Sequence, residues 1–133
     1  DRTNRRIRKV NKTTGIITTV AGTGVTCTAT GGPGPFCGDG GQATDAQFTE
    51  PSNVVIDFAG NIYVLDKVSR MVRKINASTG IISTLVGDGI QGYSGDGGPS
   101  SLARIRDPYG MAIDTNGYIY IGDSGNTVIR MIK

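Results

Sequence analysis

Few residues in this chain could carry chemistry, and their types limit what that chemistry is. Histidine is absent. Its absence removes Ser-His-Asp and Cys-His catalysis and most zinc and iron sites. Two aspartates, Asp39 and Asp96, sit in identical Gly-Asp-Gly-Gly stretches. Such a turn could bind calcium or an anion through its carboxylate and backbone amides. The alternative is a tight turn whose Asp side chain accepts hydrogen bonds from nearby backbone N–H groups. One carboxylate per loop is too few for a calcium cage, so the structural reading is preferred. Asp57, Asp66, Asp114 and Asp123 recur at equivalent strand ends. A job repeated in every unit is structural, because a ligand site usually breaks the repeat. No catalytic residue, metal or cofactor is expected, and the chain is not expected to be an enzyme.

Cys27 and Cys37 flank nine residues rich in Gly and Pro, CTATGGPGPFC. A chain of that composition bends easily, so a disulfide is preferred over two free thiols. Two cysteines without histidine cannot complete a four-ligand zinc site. A disulfide implies an oxidising compartment, so an extracellular protein, secreted or at the cell surface. Two N-glycosylation sequons, Asn11-Lys12-Thr13 and Asn76-Ala77-Ser78, fall at matching turns. Asn favours turns in its own right, so chance occurrence is the competing reading.

Net charge is +3, from 14 basic and 11 acidic residues. The basic residues gather around one strand of a repeat: Arg2, Arg5, Arg6, Arg8 and Lys9, then Lys67, Arg70, Arg73 and Lys74, then Arg130 and Lys133. An RNA-binding face would interleave aromatics for base stacking, and this strand lacks them. A solvated strand face is preferred, and no nucleic-acid partner is expected. No apolar run reaches the roughly 18 residues of a membrane-spanning helix. The chain opens on Asp1 without a signal peptide, so it reads as a mature or excised portion of something longer.

The elements that hold these residues are short strands and turns. Gly is abundant, at 21 residues, and hydrophobic residues make up 37%. With many Val, Ile and Thr, that composition suits strands better than helices or disorder. The chain also repeats itself. IRKVNKTTGIITTVAG at 7–22 matches VRKINASTGIISTLVG at 72–87, 65 residues on. The segment 37–66 matches 94–123, 57 residues on, and the cysteine-bearing insertion accounts for the difference.

Each unit resolves into four strands, a to d. Strand a is expected at 54–57 and 111–114, and strand b at 62–65 and 118–121. Strand c is expected at 6–10, 71–75 and 128–132, and strand d at 16–21 and 81–86. The a–b links carry Gly60 and Gly117, which allow the positive φ of a tight hairpin opened by Asp. Strands a and b are apolar at successive positions, which predicts sheets covered on both faces. Strand c sets Arg73 and Lys74 beside Val72 and Ile75, which predicts a more outward position. Residues 42–48 and 99–105 could each form one short helical turn. Antiparallel four-stranded sheets repeating at a fixed period predict an all-β fold, a β-propeller.

Residues 51–66 and 108–123 share the pattern P-x-x-[VM]-[VA]-I-D-x-x-G-x-I-Y-[VI]-x-D. With the basic pair on the following strand, this pattern resembles the NHL repeat. The added T-G-I-I-[TS]-T and G-D-G-G elements resemble a long-linker subgroup of secreted and surface NHL proteins, including the propeller of teneurin-like adhesion proteins. The resemblance covers the chain apart from the cysteine insertion and implies a propeller, usually six-bladed. Some NHL proteins resemble amidating lyases with a His-bound metal, and this chain lacks those ligands. Certain NHL propellers bind RNA, which the missing aromatics disfavour.

The expected organisation is a partial blade at 1–22 with strands c and d, and an insertion loop at 23–37. A full blade follows at 51–87, then a partial blade at 108–133 with strands a, b and c. These nine strands cannot close a ring that needs about 24 for six blades. An open stack leaves apolar faces and strand edges bare. The expected partners are further NHL repeats of the same chain, or identical subunits joined by strand addition, even as a head-to-tail filament. The expected function is a non-catalytic extracellular scaffold for adhesion or assembly. The alternative is a propeller that binds a protein or glycan ligand.

Overall fold

The computed structural model describes residues 1–28 and 36–133; the Gly/Pro-rich middle of the expected insertion loop lies outside the described residues. Among the described residues, Val- and Ile-rich runs closed by Gly, Asn or Asp form nine short strands. β1 (Ile7–Val10) and β2 (Ile17–Ala21) pair as a first sheet. β3 (Pro51–Ile56), β4 (Ile62–Asp66), β5 (Met71–Ile75) and β6 (Ile82–Val86) form a second sheet, in that order. β7 (Pro108–Ile113), β8 (Ile119–Asp123) and β9 (Val128–Ile132) form a third. All pairs are antiparallel between sequence neighbours. This is the blade arrangement of a β-propeller, with one four-stranded sheet between two incomplete ones.

The turns follow from their residues. Asp57 accepts the Asn61 N–H on Oδ1 at 2.8 Å, and the Gly60 N–H bonds back to the Asp57 carbonyl at 3.0 Å. Gly60 has φ 85° and Gly117, its counterpart, φ 86°, a region open to Gly and costly for other residues. The links before β3 and β7 each hold a 3-10 turn, Ala43–Asp45 and Ser100–Leu102, where the sequence suggested one. A third, Ser124–Asn126, lies between β8 and β9 and had no signal in the pattern.

The core lies between the sheets. Ile7 and Ala21 of the first sheet pack against Val64, Ile75 and Ile82 of the second, with Ala43, Ala46 and Phe48 of the link between. The other face of the second sheet presents Tyr63, Leu65, Val72 and Val86 to Met111, Ile119 and Ile121 of the third. β4 is therefore covered on both faces, as its unbroken apolar run predicts.

The outer two faces are bare at the positions that the middle sheet buries. Val10 is 59% exposed, whereas its repeat counterpart Ile75 is 5% exposed. Ile129 is 72% exposed, whereas its counterpart Val72 is 0% exposed. Identical positions differ because only the middle sheet has a neighbour on each side.

Two expectations about strands need correction. β3 is not covered on both faces, since Val54 and Ile56 are exposed. They pair with Val64 and Ile62 and share the face toward the first sheet, which holds no a or b strand opposite them. Strand c lies further out in its sheet than strands a and b, but the solvated face expected of it fails at Arg73, which does not face solvent. β5 is flanked by β4 and β6, and Arg73 is among the most buried side chains of the chain. An ion pair, described next, makes that burial tolerable.

Candidate interaction site at the links and sheet edge

The Gly-Asp-Gly-Gly link runs along the outer edge of β6 and pairs with it. The Gly40 N–H donates to the Ile82 carbonyl at 2.8 Å, and the Ile82 N–H to the Gly41 carbonyl at 3.0 Å. The Ala43 N–H donates to the Gly80 carbonyl at 2.9 Å. An edge strand that would otherwise show free backbone groups is thereby covered.

Asp39 of this link reaches into the sheet. Its Oδ1 accepts from Arg73 Nε at 3.1 Å and Nη2 at 2.5 Å, and its Oδ2 accepts the Thr84 N–H at 3.0 Å. Arg73 Nη2 also donates to the Phe36 carbonyl at 3.1 Å, and the guanidinium lies over the Phe48 ring at 5.9 Å. Asp39 was expected to bond nearby backbone within its own turn. Its partners lie 34 and 45 residues away instead. The link is paired to the edge of β6, so the donors within reach of its carboxylate belong to β6 and β5.

The third sheet repeats the clamp without its covering strand. Asp96 Oδ1 pairs with Arg130 Nη2, again 34 residues apart. Arg130 further donates to the Ser94 carbonyl at 2.9 Å and the Arg104 carbonyl at 2.8 Å. Asp96 Oδ2 accepts the Tyr93 hydroxyl at 3.0 Å, and the Tyr93 ring lies 5.4 Å from the Arg130 guanidinium. The Tyr93 and Arg130 hydrogen bonds hold the Asp96 carboxyl below the usual range. The same bond to Asp96 pushes the Tyr93 phenol up. The Asp39 side chain is 13% exposed and that of Asp96 62%, the difference a covering strand makes.

The other repeated aspartates frame the sheets. Buried Asp66 accepts the N–H groups of Thr49 and Glu50 at 2.8 and 2.7 Å, tying the entry of β3 to the end of β4. Asp123 does the same for the Arg106 N–H at 2.7 Å. Asp57 and Asp114 accept from the hydroxyls of Tyr63 and Tyr120 at 3.0 and 3.2 Å. Burial, together with the bond to Asp57, pushes the Tyr63 phenol up to about 12. Burial alone would raise the Asp57 carboxyl, but hydrogen bonds from Asn61 and Tyr63 outweigh it and hold it below the ordinary value.

Cys27 and Cys37 are joined as a disulfide. The bond sits beside the clamp, since the Cys27 N–H donates to the Phe48 carbonyl at 3.1 Å and Phe36 precedes Cys37. Asn11 and Asn76 each cap a turn: Asn11 Oδ1 accepts the Thr13 N–H at 2.9 Å, and Asn76 Oδ1 the Ser78 N–H at 3.0 Å. Asn11 is exposed and Asn76 partly so. Among the described residues, no cluster of three or more His, Cys, Asp or Glu is placed to hold a metal, and no helix is long and apolar enough to cross a membrane. Sequence reasoning missed the Asp–Arg clamp. Its signal was available in the equal 34-residue spacing of Asp39 to Arg73 and Asp96 to Arg130.

Stacked antiparallel sheets with links clamped in this way define a segment of an NHL-type β-propeller. The chain belongs to the family described as the Teneurin NHL domain, whose model matches residues 2–91. It is 40% identical to Teneurin-4 of Mus musculus over 97 residues, covering 65% of this chain and 3% of that protein. It is 32% identical to Teneurin-1 of Homo sapiens over 122 residues, covering 84% of this chain and 4% of that protein. The chain thus spans a few per cent of the length of these relatives. Among solved structures, it resembles a protein of unknown function from Bacteroides thetaiotaomicron with a TM-score of 0.78 and 22% identity, over 98% of this chain and 30% of that one. An auxiliary nutrient binding protein from the same organism matches with a TM-score of 0.66 and 21% identity, over 98% of this chain and 33% of that one. At these identities the two structures share the fold.

Proposed function

We propose that the chain is a non-catalytic extracellular scaffold segment for adhesion or assembly. Its incomplete sheets are completed by further repeats or by neighbouring copies. The observation that carries this reading is the pair of bare apolar faces. Val10 and Ile129 lie open where Ile75 and Val72 of the middle sheet are buried under a neighbour. Burying such faces is the main driving force for stacking repeat units. The disulfide and the teneurin relatives support an oxidising, extracellular setting. Asn11 and Asn76 are the proposed glycan acceptors, and Asn11 on its exposed turn is the more accessible.

Sedimentation of the chain across a concentration series tests the assembly reading. Reversible association is expected, and a stable monomer at all concentrations overturns it. Intact mass before and after glycosidase and thiol alkylation tests the extracellular part. Two free thiols with no glycan would count against it.

A second reading, a propeller that binds a soluble protein or glycan, draws on exposed Phe58 and Tyr109 near the a strands. Aromatic faces of this kind suit sugar rings. Loss of glycan retention in a Phe58→Ala, Tyr109→Ala double variant is its expected signature.

A further inference from the structure

We propose that the seam between β3 and β7 binds an acidic sugar, a uronate unit of an oligosaccharide, through the Tyr109 ring and the Lys67 ammonium. The proposal rests on the second reading above and names its ligand class.

The repeat shows what is unusual at this seam. Between the first and second sheets, Arg2 pairs with Glu50 at 2.7 Å, and Ser52 stands two residues on from Glu50. Between the second and third sheets the equivalent residues are Lys67, Asp107 and Tyr109. The ion pair does not form again. Asp107 has φ 44°, a left-handed conformation that Glu50 does not share, and its carboxylate lies 3.9 Å from Arg106 Nε. Among the described residues, Lys67 has no carboxylate within ion-pair distance. Its Nζ lies over the Tyr109 ring instead, 5.5 Å from the centroid. Left-handed backbone at a residue other than Gly is costly and gathers at functional positions. Here it withholds from Lys67 the counter-charge that the repeat gives Arg2.

Three further features complete the site. Tyr109 is 75% exposed, so packing does not account for the ring. Asn53 pairs with Leu65, whose side chain packs toward the third sheet, so the Asn53 amide faces the same seam. Its Oδ1 is buried without a hydrogen-bond partner, which a ligand hydroxyl would supply. The counterpart of Asn53 on β7 is Gly110, where a Cβ would meet nothing within 4 Å, leaving open space beside Tyr109. Both sheets contribute strands a, b and c here, so the seam is walled on each side.

A pyranose ring offers its C–H face to an aromatic ring and its hydroxyls to an amide. A uronate adds a carboxylate beside that face, in place of the one that Asp107 withholds from Lys67. A neutral sugar lacks this last match. Of the two aromatics in the second reading, Tyr109 opens β7 at this end of the seam, whereas Phe58 follows the far end of β3.

The test is calorimetric titration of the chain with a tetrasaccharide of galacturonic acid and with its methyl ester, which keeps the rings and removes the charge. Saturable binding of the acid is expected, with the ester weaker by about tenfold. This change lies in the ligand and leaves the folding of the chain untouched. Lys67→Met should weaken acid binding by about tenfold and change ester binding little, while Lys67→Arg keeps the preference for the acid. Tyr109→Ala should weaken both by about tenfold. Arg2→Met, at the other seam, should alter neither. Equal binding of acid and ester, or a Lys67→Met chain that keeps the preference, overturns the site and leaves the second reading standing. Hexaglutamate that binds as tightly as the tetrasaccharide overturns the sugar assignment. Absence of saturable acid binding overturns the proposal. Absence of binding to the ester and to a neutral galactose tetrasaccharide as well overturns the glycan reading with it.

Discussion

Arg73 in β5 and Asp39 in the preceding link meet with Nη2 and Oδ1 2.5 Å apart, the arginine 2% exposed. The contact ties a glycine-rich link to the four-stranded sheet. Breaking a buried pair by removing one partner leaves an uncompensated charge. Arg73→Met should therefore destabilise the chain by about 3 kcal/mol, and Arg130→Met, whose partner Asp96 is largely exposed, by about 1 kcal/mol or less. Urea unfolding of both variants gives the comparison. Equal losses would contradict the account of a covered and an uncovered clamp.

Val72 and Ile129 occupy the same place in consecutive units but face different surroundings. Ile129→Lys should leave the melting temperature nearly unchanged and weaken self-association. Val72→Lys puts an unpaired charge between two sheets and should prevent folding. Circular dichroism and sedimentation of the two variants check both outcomes.

The disulfide closes a short loop, with its cysteines 10 positions apart. Chain-entropy reasoning assigns about 3 kcal/mol to a loop of this size. Reduction, or a Cys27→Ser, Cys37→Ser double change, should lower the midpoint of unfolding by that amount. The effect should centre on the Arg73 clamp, because Phe36, whose carbonyl Arg73 holds, is next to Cys37. Hydrogen exchange of the 36–48 amides reads this directly.

Tyr63 has its phenol raised from 10.0 to about 12. A raised folded value means that its neutral form is favoured by folding. The stability it contributes is complete below about pH 10 and is lost as pH rises through about 12. Near-ultraviolet titration should show a late phenolate step that disappears in Tyr63→Phe. Asp57 behaves oppositely. With its value lowered from 3.8, its contribution is present above that pH and lost as pH falls further.

Gly60 and Gly117 test backbone against space. A Cβ at Gly60 meets only the Ala77 Cβ at 3.5 Å, and one at Gly117 meets nothing within 4 Å. Both positions have φ near 85°, at 85° and 86°. Gly→Ala at either should cost about 1 kcal/mol, through torsion alone. A much larger loss at Gly60 than at Gly117 would point to crowding instead.

Much of the fold was legible because it is local. β9 and β5 start and end where the apolar runs do. β3 starts at Pro51, earlier than its apolar run, because a register shift between Pro51 and Asn53 lets Pro51 pair with Asp66. The hairpin glycines and the capping roles of Asn11 and Asn76 also follow from short-range chemistry. The clamp was not read, because its partners lie 34 residues apart and meet only after the sheet forms and the link pairs with the edge of β6.

The sequence by itself determined the repeat, the strand types, the turns and the closeness of the two cysteines. Each depends on residues near one another along the chain. Tertiary structure alone decided the burial of equivalent charged positions. Arg8, Arg73 and Arg130 hold one position of the repeat, yet Arg8 is exposed, while the side chains of Arg73 and Arg130 are 2% and 10% exposed. A residue type sets what a position can bond; only the neighbouring sheet and link set whether water is there to compete.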